Sequence, residues 1–506
     1  MAGNGLHAQQ SSTSTQPVKC EDIKSIDIAY TTIATAETVA AGAFKSPAPA
    51  FPGFTADYSK LPAFCRVSGS IKPTADSDIR FDLWLPIEGW NDRFMQTGNG
   101  VAAGSIVYGS LADPLAHGYA VANTDTGHQG MGGDFSWATG HPERFTDYAY
   151  RAEHELTVTG KAITAAFYGK SPEKSYWNGC STGGRQGLSE AQRYPEDYDA
   201  IIAGAAASNW SPLMALSILI QNNMGPGKLG VDKLGVLREA ALAACDATDG
   251  VLDRVISNPA VCPFDPGVTQ CQAGQTEQCL SADEVTVARR IYAGVVDSQG
   301  RVRIPGTGPG SELLWGAYAS PQFIIGTSYF RYVVAQDATW DPATFDVDKD
   351  LARAEQVNGG PPDAMDPDIS AFIERGGKLI TYHGTIDGLI PYSNSVNYFE
   401  SVLATLGKDA VNDSARLYVV PGMSHCSGGD GAYAINWLAA MENWVEQGKA
   451  PTALPGTHLV PPQANAGGAP AAGNEFTRPI CPYPEIPRYI GSGDINAAGN
   501  FECAAP

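Results

Sequence analysis

The spacing of apolar residues predicts one long amphipathic helix near position 150. Over 148–168 apolar residues recur every three or four positions, the period of a helix that buries one face. Before and after it, from about 22 to 207, short β-branched or aromatic runs alternate with Gly-rich turns. This alternation is typical of an α/β domain. The residues that carry the helical spacing are Tyr148, Ala152, Leu156, Ala162, Ile163 and Phe167.

The pattern changes twice further along the chain. Segment 209–360 is rich in Asp and holds four of the ten cysteines, without a clear α/β alternation. The alternation returns over 361–448, and the tail from 450 is rich in Pro, Gly and Ala, so we expect it to wrap the surface. The elements predicted for the returning part are strands at 378–382 and 416–420 and a helix at 432–447.

An α/β core interrupted by an insertion explains this layout. We predict an α/β fold with an α/β-hydrolase core formed by residues 1–208 and 361–506. The inserted segment, 209–360, is predicted to form a large lid domain over that core.

The charge balance excludes two classes of partner. Among 506 residues, 54 are acidic and 33 basic, which gives a net charge of −21. A field of that sign repels phosphate backbones and anionic lipid, so we expect neither nucleic-acid binding nor membrane docking. No stretch approaches the roughly 18–20 apolar residues of a membrane-spanning helix.

The cysteines indicate an oxidising compartment. None of the ten cysteines belongs to a C-x-x-C motif, which argues against zinc ribbons and thioredoxin-type sites. Five disulfides are the simplest interpretation and favour a secreted protein, extracellular or periplasmic; the alternative is a cytosolic protein with free thiols. The first ten residues lack the basic and apolar segments of an export signal, so we interpret them as the start of a mature chain.

A G-x-S-x-G motif at 179–183 marks a candidate nucleophile, Ser181. A run at 175–177 predicts a strand before it and 186–193 predicts a helix after it. A sharp strand-to-helix turn needs small residues around the nucleophile and exposes its Oγ at a helix N-terminus. The alternative interpretation is a structural Gly-rich turn.

A serine nucleophile needs a base and an orienting carboxylate. His425 follows the predicted strand 416–420, and Asp387 follows the strand before it, in the chain order Ser, Asp, His of α/β-hydrolases. Both lie at carboxyl ends of strands, where α/β sheets gather their chemistry. His383, near Asp387, is interpreted as a structural histidine, and His458 lies in the Pro-rich tail.

Two cysteines flank these candidates. Cys180 precedes Ser181 and Cys426 follows His425. A disulfide between them would hold the two Cα atoms within about 4–7 Å and bring the nucleophile beside the base. The alternative is that both cysteines are free and buried.

The oxyanion of an acyl-transfer reaction also needs hydrogen-bond donors. The predicted donors are the backbone N–H of Thr182 and an N–H from the Gly-rich loop Gly98, Asn99 and Gly100. The same loop resembles a dinucleotide motif only weakly, because no acidic residue ends a second strand about 20 positions on. We therefore expect no organic cofactor.

An acidic loop predicts a calcium site. Asp246, Asp249 and Asp253 surround a glycine, and closely packed carboxylates repel unless a cation or solvent separates them. Cys245 and Cys262 flank the loop, which favours a rigid structural site. The alternative is an Asp-rich turn with solvated charges.

Together these motifs resemble the tannase/feruloyl esterase family over nearly the whole chain. One departure is Ala200 and Ala205, where such proteins often carry Gly and Pro. The segments that carry the resemblance are Arg151-Ala-Glu-His-Glu-Leu-Thr, Tyr176-Trp-Asn-Gly-Cys-Ser-Thr-Gly-Gly-Arg-Gln-Gly, Tyr194-Pro-Glu-Asp-Tyr-Asp-Ala-Ile-Ile-Ala-Gly-Ala and Arg478-Pro-Ile-Cys-Pro-Tyr-Pro.

The resemblance implies further site residues. The family's Cys-Ser, Asp and His-Cys signature falls on Cys180-Ser181, Asp387 and His425-Cys426. Its calcium site maps to the three aspartates named above, with the carbonyl groups of Val251 and Val255. The disulfides it implies are Cys20–Cys65, Cys245–Cys262, Cys271–Cys279 and Cys481–Cys503.

The resemblance also implies a function: a secreted carboxylic-ester hydrolase that acts through an acyl-enzyme. Its substrate would be an ester of a hydroxycinnamic, gallic or terephthalic type acid, in some cases attached to plant polysaccharide or polyphenol. Two other readings stay open, a serine peptidase of the same fold and a calcium-dependent carbohydrate-binding or adhesive module. Lid candidates for substrate contact, each with a packing or solvated alternative, are Tyr329, Phe330, Arg331, Tyr332 and Trp340.

Overall fold

Nine strands form one central mixed sheet. The computed structural model describes residues 16–49, 56–130, 132–225, 227–357, 360, 362–459 and 475–506. The strands are β1 Thr31–Val39, β2 Phe64–Ile71, β3 Ile79–Pro86, β4 Arg93–Thr97, β5 Ala120–Thr124, β6 Lys174–Cys180, β7 Ala200–Gly204, β8 Val295–Val296, β9 Val302–Ile304, β10 Lys378–Gly384, β11 Ala415–Val420, β12 Leu454–His458, β13 Phe476–Ile480, β14 Ile486–Tyr489 and β15 Phe501–Ala504.

The order of strands in the central sheet is β1-β2-β3-β5-β4-β6-β7-β10-β11. The first four pair antiparallel, and from β5 onward every neighbouring pair is parallel. The helices are α1 Tyr108–Ala116, α2 Pro142–Thr146, α3 Ala152–Tyr168, α4 Thr182–Arg193, α5 Trp210–Asn223, α6 Leu234–Cys245, α7 Ala282–Ala293, α8 Ile325–Ser328, α9 Val347–Ala354, α10 Ser370–Glu374, α11 Tyr392–Leu406, α12 Lys408–Ser414 and α13 Trp437–Gln447.

Helices cover both faces of the parallel half of the sheet. On β6 successive side chains point to opposite faces, so Tyr176 packs into one apolar core and Trp177 into the other. Helices α1 and α13 complete the first core, and α3, α4 and α11 the second. This three-layer arrangement around a mixed sheet confirms the predicted α/β-hydrolase core.

Two predicted helices differ from the observed ones at their starts. The helical period over 148–168 spans a π-helical turn, Asp147–Arg151, followed by α3. The helix predicted at 432–447 begins only at Trp437, because Ala434 first pairs with Thr457 and Asn436 caps the helix through the N–H of Ala439 at 2.9 Å.

The predicted lid falls in the interval between β7 and β10. In the described part of that interval no strand joins the central sheet, and the chain forms α5 to α10 and the short pair β8–β9. The apolar cluster of this insert includes Trp315 and Tyr329 but also Phe135 and Tyr148, which precede it in sequence. The insert therefore shares a core with residues that precede β6 in the chain.

The C-terminal segment packs against the β11 edge of the sheet. The N–H of Tyr483 donates to the carbonyl oxygen of Leu417 at 2.7 Å, and a disulfide joins Cys481 to Cys503. Residues 460–474 of the predicted surface tail lie outside the described residues. No helix in the segments given above is both long and apolar enough to cross a bilayer.

Candidate active site

Ser181 lies at the sharp turn between β6 and α4. Its backbone has φ 64° and ψ −122°, a strained conformation for a residue with a side chain and typical of a nucleophile turn. Glycines allow this turn: a Cβ on Gly179 would lie 2.5 Å from the carbonyl oxygen of Gly183. The turn presents a partly exposed Ser181 at the carboxyl edge of the sheet, at the start of α4.

Asp387 and His425 meet in the loops that follow β10 and β11. Oδ2 of Asp387 accepts a hydrogen bond from Nδ1 of His425 at 2.7 Å. Oδ1 accepts from the backbone N–H groups of Leu389 at 2.9 Å and Ile390 at 3.0 Å. The buried carboxylate is thereby held in one orientation, and because Nδ1 of His425 is occupied, Nε2 is the nitrogen that can act as a base.

A second histidine, His383, contacts the same carboxylate. Its Nε2 lies 3.2 Å from Oδ2 of Asp387 and 2.9 Å from the carbonyl oxygen of Ile390, and its Nδ1 lies 2.8 Å from Oγ of Ser395. Two acceptors at Nε2 place a proton there, so the Ser395 hydroxyl donates to Nδ1. The sequence indicated a structural histidine and missed this contact, although the four-residue spacing to Asp387 was a signal.

The Asp387–His425 pair shifts the pKa of both groups. Burial alone would raise the pKa of Asp387, but the charge of His425 and the hydrogen bonds from His383 and His425 outweigh it and hold the pKa below its ordinary value of 3.8. Burial alone would lower the pKa of His425, but the charge and hydrogen bond of Asp387 raise it above 6.5. The pair therefore favours the imidazolium that a general base becomes once it has taken a proton.

A disulfide joins the turn of Ser181 to the loop of His425. Cys180 and Cys426 are bonded, with their Cα atoms 6.0 Å apart across a sequence separation of 246. The bond brings the residues beside it to neighbouring positions, as their sequence placement predicted. All ten cysteines are paired, and the other four disulfides are those that the resemblance implied: Cys20–Cys65, Cys245–Cys262, Cys271–Cys279 and Cys481–Cys503.

Two of the predicted oxyanion donors need correction. The N–H of Gly98 donates to the carbonyl oxygen of Asn178 at 3.0 Å, and the N–H of Asn99 donates to Oε1 of Gln186 at 2.9 Å. Neither group can bind an oxyanion at the same time. The N–H groups of Gly100 and Thr182 form no hydrogen bond with another described residue, so they remain the candidates.

The substrate contacts predicted for the insert also need correction. Tyr329 and Phe330 are 0% and 1% exposed, because their rings form part of the core under the insert. The guanidinium of Arg331 donates two hydrogen bonds, at 3.1 and 3.0 Å, to the carbonyl oxygen of Trp340. Trp340 itself stacks on Phe330. These side chains pack the insert, and their sequence pattern cannot be distinguished from that of a binding surface.

The acidic loop after α6 is closed by its own hydrogen bonds. Asp246 and Asp249 are buried, and each accepts a backbone N–H of the loop at 3.0 Å, while Asp253 accepts from Arg478 at 2.6 Å. Burial, together with the negative charge of Asp253, raises the pKa of Asp246 and of Asp249. Within the described segments no three acidic, His or Cys side chains converge as a metal cage would require.

Comparison with known proteins finds relatives along nearly the whole chain. A family model described as tannase and feruloyl esterase matches residues 65–504. An uncharacterized esterase of Xanthomonas campestris pv. campestris is 36% identical, with 97% of this chain and 92% of that protein covered. The crystal structure of feruloyl esterase B from Aspergillus oryzae has a TM-score of 0.87 at 29% identity and covers 96% of this chain and 99% of its own. Tannin acyl hydrolase from Aspergillus niger has a TM-score of 0.77 at 26% identity, with 98% and 94% covered.

The raised pKa of His425 predicts where activity is lost in acid. Because His425 must be neutral to accept a proton, we expect kcat/KM for an ester to fall with a midpoint above pH 6.5. The change Asp387→Asn removes the charge that raises this pKa, so the midpoint should move to lower pH and kcat should drop roughly 10⁴-fold. Initial rates from about pH 5 to 9 measure both effects, and a wild-type rate that stays flat over this range contradicts the role of His425.

The Cys180–Cys426 bond predicts a loss of activity that another disulfide does not share. Replacing both cysteines by Ala should lower stability by about 2–5 kcal/mol and also lower kcat, because the loop of His425 is no longer tied to Ser181. The matched control is the double Ala variant of Cys20 and Cys65. Cys65 lies on β2, near the opposite edge of the sheet from β11, so this variant should lose stability but keep its kcat. Thermal unfolding and kcat per titrated serine are the measurements; equal kcat in both variants contradicts the tether.

Proposed function

The chain belongs to the tannase and feruloyl esterase family and is a serine esterase, and on this premise we propose that it hydrolyses esters of aromatic carboxylic acids through Ser181, His425 and Asp387. The names of two relatives, feruloyl esterase B and tannin acyl hydrolase, support a hydroxycinnamic or gallic acyl group. A terephthalic acyl group is the third candidate. The substrate is a small aromatic ester, alone or attached to plant polysaccharide or polyphenol.

In the proposed reaction Nε2 of His425 takes the proton of Ser181 as Oγ attacks the ester carbonyl carbon. The carbonyl oxygen becomes an oxyanion, which the N–H groups of Thr182 and Gly100 stabilise. The intermediate collapses, the alcohol leaves with the proton from His425, and the acid stays bonded to Ser181 as an ester. Water then gives a proton to His425 as it attacks the carbonyl carbon of this ester, and His425 returns that proton to Oγ of Ser181 as the bond to the acid breaks and the free acid leaves.

One contact carries this proposal. His425 Nδ1 and Asp387 Oδ2 are 2.7 Å apart, in a loop that Cys426 bonds covalently to the residue before Ser181. The strained backbone of Ser181 gives independent support, because such strain persists at functional turns. A structural Gly-rich turn needs neither a buried carboxylate with a histidine partner nor a cross-link to it.

We also propose that the protein works in an oxidising compartment, outside the cell or in the periplasm. Five disulfides join all ten cysteines, and disulfides are rare where glutathione and thioredoxin keep thiols reduced.

The acidic loop is proposed to bind a structural Ca²⁺ through Asp246, Asp249, Asp253 and the carbonyl groups of Val251 and Val255. The chemistry of these donors fits, because all are hard oxygen ligands. The three carboxylates do not converge in the described structure, so binding would have to draw them together. Burial and mutual charge disfavour the ionised forms of Asp246 and Asp249, and a cation would offset both effects. Bound Ca²⁺ would stiffen the loop at the base of the insert, and no step of the reaction uses it.

The proposed function is tested by labelling and by a substrate panel. A fluorophosphonate probe should form an adduct on Ser181, and Ser181→Ala should lose both the adduct and hydrolysis while its thermal midpoint stays near that of wild type. The panel compares feruloyl, galloyl, terephthaloyl and short aliphatic esters with an aromatic anilide. We expect the highest kcat/KM for an aromatic ester. A preference for the anilide indicates a peptidase, and a missing adduct removes the enzymatic role of Ser181.

Removal of calcium tests the loop. If Ca²⁺ binds the folded state at about 100 times its dissociation constant, it adds about 2.7 kcal/mol, so EDTA should lower the thermal midpoint and Ca²⁺ but not Mg²⁺ should restore it. Asp249→Asn should abolish this response. Asp265→Asn, at an exposed acid of the same insert, is the control that keeps it. If EDTA does not change the thermal midpoint of the wild-type protein, the proposed calcium site is wrong.

A further inference from the structure

A pair of amide hydrogen bonds ties the loop after β4 to the nucleophile helix α4. The backbone N–H of Asn99 donates to Oε1 of Gln186 at 2.9 Å, and Nε2 of Gln186 donates to Oδ1 of Asn99 at 3.1 Å. Both residues are buried, at 2% and 1% exposed. A buried donor or acceptor that loses its partner costs about 1–3 kcal/mol, so this pair strongly restricts where the loop can lie.

The remaining polar groups of Asn99 are also occupied. The side-chain Nδ2 of Asn99 donates to the backbone carbonyl oxygen of Thr124 at 2.8 Å. The backbone carbonyl oxygen of Asn99 accepts from the N–H of Gly183 at 2.9 Å. The loop also lies very close to α4, since a Cβ on Gly98 would be 2.4 Å from Cα of Gly183. Asn99 is therefore fixed on three sides, and the next residue along the chain is Gly100.

The contacts with Asn99 fix the orientation of the Gln186 amide. Nε2 of Gln186 donates to Oδ1 of Asn99 and also contacts Oε1 of Glu153 in α3. A flipped amide would place its oxygen against Oδ1 of Asn99 and its NH2 group against the N–H of Asn99. The amide thus has one orientation, with Oε1 directed at the N–H of Asn99.

We propose that Gln186 and Asn99 are positioning residues that place the N–H of Gly100 to stabilise the oxyanion together with Thr182. This inference rests on the proposed esterase function. The two N–H groups lie on different segments, one at the start of α4 and one in the loop after β4, so their separation depends on what joins those segments. The Gln186–Asn99 pair is one such connection, beside the bond from the N–H of Gly183 to the backbone carbonyl oxygen of Asn99 and the bond from Oγ1 of Thr182 to that of Val101. Oxyanion donors act only when they are held within a few tenths of an ångström of the developing charge.

The test compares two glutamines of the same helix. Gln186→Leu removes both bonds to Asn99, whereas Gln192→Leu removes one bond, at 2.9 Å, from Nε2 to the hydroxyl of Tyr398, away from the loop. For Gln186→Leu we expect kcat per titrated serine to fall about 10- to 100-fold with KM within about twofold, since loss of a whole oxyanion donor costs roughly 10²–10³-fold. Gln192→Leu should keep the wild-type kcat.

A tetrahedral inhibitor separates positioning from a general loss of structure. The inhibition constant of an aryl boronic acid, which forms a tetrahedral adduct on the serine, should rise in proportion to the fall in kcat/KM for Gln186→Leu. In the double variant with Asn99→Ala the two losses should be less than additive, because both substitutions remove the bond from Nε2 of Gln186 to Oδ1 of Asn99. If the role of Gln186 is purely structural, the substitution should lower the thermal midpoint and the fraction of protein whose serine can be titrated. The inhibition constant and the kcat/KM per titrated serine should then stay at their wild-type values.

Gln186→Asn serves if the Leu variant does not fold. The shorter side chain keeps an amide but ends one methylene short of the N–H of Asn99, so the same loss of kcat is expected. Wild-type kcat and boronate affinity in a folded Gln186 variant overturn the inference. Absence of a fluorophosphonate adduct in the wild-type protein instead overturns the proposed function, so the two failures are distinguishable.

Discussion

The Cys180–Cys426 disulfide is the constraint on which the geometry of the site depends. Ser181 follows β6 and His425 follows β11, and β7 and β10 lie between these two strands. Three steps across a sheet, at about 4.8 Å each, separate the strand ends by roughly 14 Å. Serine and histidine cannot meet across that distance unless the loops lean toward each other. The disulfide holds the two Cα atoms at 6.0 Å, less than half the separation of the strands that carry them.

The second constraint is that the charged carboxylate of Asp387 must be stabilised in the protein interior, near the Cys180–Cys426 disulfide. Asp387 lies in the loop after β10, and β10 is the neighbour of β11, so Asp387 can reach His425 in the loop after β11. A buried ion is expensive unless hydrogen bonds satisfy it. Here four donors do so: two backbone N–H groups, His425 and His383. Because two backbone N–H groups and His383 hold the carboxylate independently of His425, it keeps its orientation while His425 gains and loses its proton.

The sequence predicted those features that depend on short stretches of chain. The strand–turn–helix around Ser181, the loops of Asp387 and His425 and the cysteines beside them could all be identified because local pattern and chain order determine them. Two contacts were missed for different reasons. Gln186, which occupies the N–H of Asn99, is distant from it in sequence, whereas His383 is only four residues from Asp387 and contacts it because the loop folds back. Aromatic residues failed as predictors in the insert, since burial in a core and exposure in a binding surface leave the same pattern.

The insert contacts the loop that carries Asp387. The hydroxyl of Tyr318, in the insert, donates to the carbonyl oxygen of Leu389 at 3.1 Å, and the N–H of Leu389 donates to Asp387. Gly388 lies so close to Leu314 that a Cβ there would be 2.5 Å from the Leu314 Cβ. The insert and the Asp387 loop are thus packed together, so a change in the insert that alters substrate contacts also bears on the orientation of the carboxylate. A substitution that displaces Tyr318 or Leu314 is therefore expected to disturb the Asp387 loop.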